Sequence, residues 1–331
     1  MKHLMFIFFL LAMSASPAFT ADVAPAKAPK LAARNPIVRV VTISQDRLRR
    51  ESTETLEDSI ERLNRAASFR PDIACLPELF SDRPPEPISG PVTARLSKWA
   101  REHSCYVIFG LKRQAANRTY NSAVLVGRQG ETVGVFDKIH PTENELAAGT
   151  TPGEDDAPVF ETDFGRIGIQ ICFDVNWWDS WKRLQKKGAR IVFFPSAFPA
   201  ARQLSALALM NQSFIVSSPQ AGTARIYDIS GDVVATSGKY QEWAGAALPL
   251  GRRLFEIDFH TRKVRQMQQK YGSKIEVIWH HEDDWFTLAS LDSELTVEDL
   301  IKEYGLTPLN DYRHRATAAV DKARSQAVPA R

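Results

Sequence analysis

The stretch "RIGIQICFDVNWW", residues 166–178, decides how this chain is read. Ile167, Ile169 and Ile171 make an apolar run that reads as a buried strand, and Cys172 closes it, with Phe173 and Asp174 directly behind. A free cysteine is among the most buried side chains, and packing is its usual fate. The competing role is a nucleophile held at a strand end, so the surrounding segments have to decide between them. Upstream, "VFETDFG" supplies a strand and a turn at Asp163-Phe164-Gly165. Downstream, "WWDSWKRLQKKG" is helical and stops at Gly188, a good C-terminal cap, and "ARIVFFPSAF" is an apolar strand with proline at its exit.

The same grammar extends in both directions. "IVRVVTIS" (37–44) is a strand, and "TETLEDSIERLNRAASF" places Leu56, Ile60, Leu63 and Ala67 on one helical face. "DIACLPEL" (72–79) is a buried strand that opens into a loop, a Pro-rich loop follows, then the helix "VTARLSKWAREHS" and the strand "CYVIFGL" (105–111). "NSAVLVG" and "TVGVFDK" form a hairpin around Gly130, and "ARIYDISGDVVATSG" another around Ser230-Gly231-Asp232. "ARQLSALALMNQS" is helical, "FIVSSP" is a strand, and "RRLFEIDF" (252–259) is the last strand expected. Parallel strands need helical crossovers whereas hairpins join antiparallel ones, so a mixed sheet or sheets covered by helices follows. No repeat period is visible. Beyond Thr261 the composition turns polar, with one short helix, "TVEDLIKEYGL", capped by Thr296. This tail has too little apolar content for a core of its own, and the stretch after about His314 is expected to be partly disordered.

The first residues, "MKHLMFIFFLLAMSASPAFTADVAP", combine Lys2 and His3 with an apolar run from Leu4 to Met13 and small residues around Ala18. They read as a secretory signal over 1–21, cleaved near 18–21, and residues 22–35 as a flexible lead-in. The apolar run is short of the roughly 20 residues a membrane span needs, so an exported protein with no membrane partner after cleavage is expected. The 42 basic and 39 acidic residues nearly balance, with no basic stripe carrying aromatics, which excludes a nucleic-acid partner. Three cysteines, Cys75, Cys105 and Cys172, cannot all pair within one molecule, so one at least is a free thiol. Cys75 and Cys105 sit in two strands, and buried free thiols are favoured over a bridge.

Three strand exits carry a reactive group: Glu78 in "CLPELF", Lys138 in "VFDKIHPTE" and Cys172 in "IQICFD". Strand ends combine a rigid backbone with access to solvent. A carboxylate can take the thiol proton, and a fixed ammonium can favour thiolate and stabilise negative charge on the attacked atom.

With "DIACLPELF", "FDKIHPTE" and "GRIGIQICFDVNW" in this order and spacing, the sequence resembles the nitrilase superfamily, the carbon–nitrogen hydrolases with a Glu-Lys-Cys triad. "GARIVFFPSAFP" and "ARIYDISGDVVATSG" fit the strands that follow in that family. The resemblance covers residues 36–260, leaving 261–331 as a C-terminal extension. It implies an α/β fold, a four-layer α-β-β-α sandwich of the carbon–nitrogen hydrolase type, assembled as a homodimer or larger homo-oligomer. It makes Glu78 the general base, Cys172 the nucleophile, and Lys138 with the Phe173 backbone N–H the stabilisers of the tetrahedral intermediate. A further glutamate lies between lysine and cysteine in the family. Glu143 and Glu145 both qualify, and the P-T-x-x-E spacing favours Glu145. No metal or organic cofactor is implied. The expected reaction is hydrolysis of a non-peptide C–N bond in a small amide through a thioester, with a nitrile or N-carbamoyl substrate as the alternative.

Other features carry less. "WHHEDDW" (279–285) is rich in metal-binding residue types, but neighbours on a strand point to opposite faces, which favours a solvated loop. Trp177 and Trp181 share a helical face, where packing competes with pocket lining. Together with Ser196 and Phe198 at the "PSAF" exit, Phe173 and Trp177 are the candidate substrate-binding residues. A catalytically silent scaffold keeping the fold is the rival from another class. A papain-like thiol protease is disfavoured because its nucleophile would open a long helix.

Overall fold

The computed structural model describes residues 35–45, 55–81, 83–258 and 260–327. The expected signal sequence and residues 22–34 of the lead-in lie outside the described residues. Two six-stranded sheets form the body. The first runs in the order β12 (Trp243–Pro249), β1 (Ile37–Ile43), β2 (Ile73–Cys75), β3 (Tyr106–Ala115), β4 (Arg118–Val126), β5 (Thr132–Asp137). The second runs β11 (Val233–Thr236), β10 (Arg225–Tyr227), β9 (Phe214–Pro219), β8 (Ile191–Ser196), β7 (Gly165–Ile169), β6 (Val159–Thr162).

Strand chemistry explains why both faces are covered. In β1, Val38 and Val40 join the core between the sheets while Val41 and Ile43 face the helical layer. The same division holds in β3, with Tyr106 and Ile108 on one side and Val107 and Phe109 on the other. Strands buried on both faces read as continuous apolar runs, as these do. The first sheet is covered by α1 (Thr55–Ala66), through Leu56, Ile60 and Leu63, and by α2 (Pro91–His103), through Val92, Leu96 and Trp99. The second is covered by α4 (Trp178–Lys186) and α5 (Ala201–Asn211), through Trp181, Leu184, Leu204 and Leu207. The result is the α-β-β-α sandwich. Cys75 packs between the sheets and Cys105 under the helices, both buried and free, so they stand on opposite faces of one sheet.

A repeat invisible in the sequence appears in the topology. β1, β2 and β3 are parallel and β4 and β5 return antiparallel; β7, β8 and β9 are parallel and β10 and β11 return antiparallel. Each unit gains one antiparallel strand beside its first, β12 on β1 and β6 on β7. β12 was not expected, because "WAGAALP" lacks the β-branched residues that mark strands, yet it pairs with β1 along its whole length.

The tail departs from expectation. The segment "RRLFEIDF" contributes β13 (Arg253–Glu256), which leaves the body to pair with β15 (Trp285–Ser290), itself paired with β14 (Ile275–His280). With α6 (Thr261–Tyr271) and α7 (Val297–Tyr304) this small sheet encloses a core of its own, including Phe255, Val264, Met267, Phe286, Leu288 and Leu300. These apolar residues are scattered over four elements among long polar intervals, so no window of sequence reveals them. The α7 start is as expected, with Thr296 and Asp299 forming a capping box. Of the stretch expected to be partly disordered, the residues up to 327 are helical, and 328–331 lie outside the described residues. α8 (Leu309–Ala327) consists largely of good helix formers, with Leu309 buried and the rest exposed or half-buried. The extension is tied to the body where Arg252, which donates to Asp228 at 2.5 Å, also donates to Glu276 of β14, and where Gln212 donates to Asn310 at 2.9 Å. Of "WHHEDDW", Trp279 and His280 close β14, residues 281–284 turn, and Trp285 opens β15. Among the described residues no group of His, Cys, Asp and Glu is placed to hold a metal, and no helix is long and apolar enough to cross a membrane.

Candidate active site

The site lies where β2, β5 and β7 end and their loops meet. β7 stops at Ile169, earlier than the sequence implied, so Cys172 does not end the strand. Gln170 adds one more backbone bond, to the Phe193 carbonyl, and then the chain swings into a 3-10 turn over Cys172–Asn176. Cys172 opens that turn with φ +47°. A side chain in the left-handed region costs roughly 1–2 kcal/mol, so surrounding bonds must hold it there. Asp174, fully buried, does so: one carboxylate oxygen accepts from the Ile171 N–H at 3.1 Å. Its other oxygen accepts from the His140 backbone N–H at 2.8 Å and lies 2.9 Å from His140 Nδ1, which ties the loop after β5 to the turn.

Glu78 sits in the loop after β2, 4 % exposed, and Leu79 behind it also has a positive φ, +40°. This loop rests directly on β3. A Cβ at Gly110 would lie 2.3 Å from the Leu79 nitrogen and 2.6 Å from the Pro77 carbonyl oxygen, so only glycine permits the approach.

Lys138 follows β5 and is buried, its ammonium donating to Glu78 Oε1 at 2.9 Å and to Glu145 Oε2 at 2.8 Å. Burial alone would lower its pKa. The Glu78 charge, with that of Cys172 and the bond to Glu145, outweighs burial and moves it above the ordinary lysine value. Glu145 lies in the one-turn helix α3 (Glu143–Ala147), where it completes a capping box with Thr142. Half-buried, it is held below the usual carboxylate range: burial opposes this, but bonds from Lys138, Thr142 and Asn121 prevail. Glu143 is exposed on the same turn and takes no part in these bonds. Between the two glutamates stands Asn121 of β4, whose Nδ2 donates to Glu78 Oε1 and Glu145 Oε1, each at 2.7 Å. Nothing in its sequence surroundings marked it; only register places it opposite Lys138.

The Cys172 thiol is pushed up to about 12, chiefly by burial and then by the Glu78 charge, while Lys138, Ala197 and Ser196 pull the other way. The resting sulfur is therefore a protonated thiol beside an acceptor and an ammonium, an arrangement suited to losing its proton as it attacks. Glu78, Lys138, Glu145 and Cys172 share the wall of an open cavity of about 490 Å³.

Of the four candidate substrate-binding residues, Ser196 reaches the Cys172 thiol, and the side chains that line this cavity come from other positions. The 3-10 turn carries Phe173 outward, and its ring meets Trp177 edge-on at 5.4 Å. Trp177 stacks on His140 at 3.8 Å, packing rather than forming a wall. Trp177 is half exposed while Trp181 is buried, because α4 begins at Trp178 and the two do not share a helical face. Ser196 is fully buried, its hydroxyl accepting from the Phe198 N–H at 3.1 Å, and Phe198 is exposed. The cavity is instead completed by residues that sequence did not single out, among them Ser81, Arg83, Lys112 and Gln220.

The α-β-β-α sandwich and a site of this composition are those of a carbon–nitrogen hydrolase, and comparison with known proteins shows that family. The carbon–nitrogen hydrolase family model matches residues 37–252, ending just where β13 leaves the body. The chain belongs to the carbon–nitrogen hydrolase family, within the nitrilase superfamily, and is an enzyme that cleaves carbon–nitrogen bonds other than peptide bonds. It is 27 % identical to an omega-amidase of Xenopus tropicalis over 232 residues, covering 60 % of this chain and 84 % of that one. It is 26 % identical to a deaminated glutathione amidase of Rattus norvegicus over 274 residues, 71 % of this chain and 80 % of that one. Among solved structures, a carbon–nitrogen hydrolase from Helicobacter pylori G27 superposes with a TM-score of 0.59 at 18 % identity, over 70 % of this chain and 93 % of the other. An amidase from Nesterenkonia sp. gives 0.56 at 19 %, over 69 % and 95 %. At such identities the structures attest the fold alone.

Proposed function

We propose that the chain hydrolyses a small amide through a thioester on Cys172, with Glu78 as general base and Lys138 as the main stabiliser of the oxyanion. The observation that carries this is the buried Lys138 ammonium, held between Glu78 and Glu145 on the wall that also presents Cys172. In the first half-reaction the sulfur attacks the amide carbon while its proton passes to Glu78. The oxyanion is met by Lys138 and the Phe173 N–H, the C–N bond breaks, and the departing nitrogen takes the proton from Glu78. In the second, water attacks the thioester, Glu78 takes the water proton, and the thiol leaves with a proton as the acid is released. Glu145 and Asn121 hold Lys138 and Glu78 in place between the two. A preorganised donor at a developing oxyanion is worth about 10²–10³ in kcat, which makes the Lys138 contribution large.

Export is part of the same proposal, supported by the charged and apolar leader over residues 1–21. N-terminal sequencing of the secreted or periplasmic fraction should find the chain starting near residues 18–21.

Ammonia release should be followed over a panel of amides, nitriles and N-carbamoyl compounds, with intact-mass detection of the acylated protein. Turnover of amides with acyl mass on Cys172, lost in Cys172→Ala and Glu78→Gln, is the expected result. Activity that survives Cys172→Ala overturns the mechanism.

A further inference from the structure

The two groups proposed to meet the oxyanion come from different halves of the sandwich. Lys138 follows β5 of the first sheet, and its backbone is bonded on both sides: its N–H donates to the Asn121 carbonyl and its carbonyl accepts from the Gly153 N–H, each at 2.8 Å. The Phe173 N–H belongs to the turn after β7 of the second sheet, which Gln170 ties to β8 through the Phe193 carbonyl at 3.0 Å. The sheets meet through an apolar core, and apolar contacts are non-directional. Placement to a fraction of an ångström therefore rests on directional bonds that cross between the halves. At the Glu78 loop Ser218 and Gln220 supply them, donating to the Cys75 and Glu78 carbonyls. At the Lys138 loop His140 supplies them. Among the described residues, each hydrogen bond from residues 138–150 to the 172–176 turn runs from His140 to Asp174.

The imidazole adds to what the backbone does. Its Nδ1 lies 2.9 Å from the Asp174 oxygen that already accepts the His140 N–H, so Nδ1 carries the hydrogen and the bond sets the ring plane. Against the face of that ring lies Trp177, 3.8 Å away and parallel to within 1°. Trp177 in turn meets the Phe173 ring edge-on at 5.4 Å. The His140 ring thus grips the turn at Asp174, next to Phe173, and again at Trp177 where the turn ends, while its backbone leads back to Lys138 in two residues.

We infer that His140 is a positioning residue that sets the separation of the two oxyanion donors, the Lys138 ammonium and the Phe173 N–H. This rests on the proposed thioester mechanism and says what keeps its oxyanion site in register. His140 does not line the cavity, so it acts through its neighbours. Loosening it leaves the ground-state amide bound as before and weakens the contacts made only once the oxygen becomes charged.

The test compares the wild type with His140→Ala, His140→Asn and His140→Phe. Asn keeps a donor for Asp174 without the stacked ring; Phe keeps a ring on Trp177 without the donor. All three keep the backbone bond, and the two conservative variants carry the comparison where the alanine variant is unstable. Single-turnover experiments give the acylation rate and the dissociation constant for a small amide. A third measurement is the affinity for the aldehyde of the same carbon skeleton. The Cys172 sulfur adds to the aldehyde carbon, the thiol proton passes to Glu78, and the charged oxygen takes the place of the oxyanion. In His140→Ala acylation should slow about 100-fold, the effect of a misplacement of about 1 Å, and aldehyde affinity should fall by a similar factor while amide binding is unchanged. The Asn and Phe variants should each recover part of both losses. Variants that lose stability in urea yet acylate and bind aldehyde like the wild type overturn the inference. So do variants whose amide binding weakens as much as their aldehyde binding. A wild type that hydrolyses no amide and binds no aldehyde at Cys172 overturns the amidase proposal itself.

Discussion

Asn121 Nδ2 stands 2.7 Å from Glu78 Oε1, and this places a neutral donor against the carboxylate proposed as general base. The same nitrogen reaches Glu145, while Lys138 donates to both carboxylates from the other side. Two acids and two donors thus form a closed ring in which every partner fixes the others. The Asn121 Oδ1 is buried with no partner, so the amide is oriented by its nitrogen alone.

Asn121→Ala should therefore leave the fold intact and reduce kcat/KM. A hydrogen bond to a charged group contributes about 1.5–3 kcal/mol, which corresponds to a fall of roughly 10- to 100-fold. Asn121→Asp should be more damaging, since three carboxylates would then share one ammonium, and the acid limb of its pH–rate profile should move to higher pH. Steady-state kinetics against pH on both variants checks this; an Asp variant with the wild-type profile would show that Asn121 has no hold on Glu78.

Gly110 sets the height of the Glu78 loop. Its conformation suits any residue, so the effect of Gly110→Ala comes from the new Cβ alone, driven against the backbone at Leu79 and Pro77. Backbone cannot rotate away as a side chain can. Overpacking of this kind costs about 1–3 kcal/mol, and here it also displaces Glu78 from Lys138. Urea denaturation should show the lost stability and turnover assays a lower kcat. Unaltered kcat with reduced stability would mean the loop adjusts without moving the carboxylate.

Much of this site was legible because Glu78, Lys138 and Cys172 each close an apolar run in a distinctive tripeptide context, and strand ends are where reactive groups gather. The wall opposite them was not. Lys112 and Asn121 lie within strands of mixed composition, and Arg83 lies in a Pro-rich loop. Their meeting depends on register and on the Glu86 backbone bonds, which leave no local pattern. Proximity in sequence says little of where side chains go: Phe173 and Trp177 adjoin Cys172 in the chain, but after a left-handed residue and a 3-10 turn their rings pack on each other and on His140. The body of the fold follows from alternation and turn residues. β12 and the small core of the extension escape because one is built of alanine and glycine and the other gathers single apolar residues from distant elements.

The thiols make the protein sensitive to alkali. Burial, first of all causes, raises Cys172 from an ordinary value of 9.0 to about 12, and raises Cys75 and Cys105 as well. A group that holds its proton more tightly when folded stabilises the fold below its unfolded pKa, and that contribution disappears as pH rises toward the folded value. Thermal stability should therefore decline between about pH 9 and pH 12, with Cys172→Ala showing a shallower decline than the wild type. Identical melting curves across this range would remove the buried thiol as a cause. At neutral pH the same shift makes alkylation slow. Cys172, which borders the cavity, should still be labelled ahead of Cys75 and Cys105, which no solvent reaches.

Asp174 offers the sharpest test of how the cysteine is held. Its carboxylate accepts two backbone N–H groups, from Ile171 and His140, and meets the His140 ring nitrogen. Asp174→Asn preserves size but replaces one acceptor oxygen with a donor, so either the Ile171 or the His140 N–H is left facing another N–H in a buried place. The expected loss is about 2–3 kcal/mol of stability, the scale of a charged acceptor removed from a buried donor. Because Cys172 opens the turn with positive φ, and the loop bearing Lys138 is anchored through His140, both should shift together. The variant should then lose kcat while keeping KM, and acylation of Cys172 should slow in single-turnover experiments. Asp174→Ala should be less stable still and no more active. A variant that loses stability but acylates at the wild-type rate would show that the turn supports the fold without aligning the sulfur.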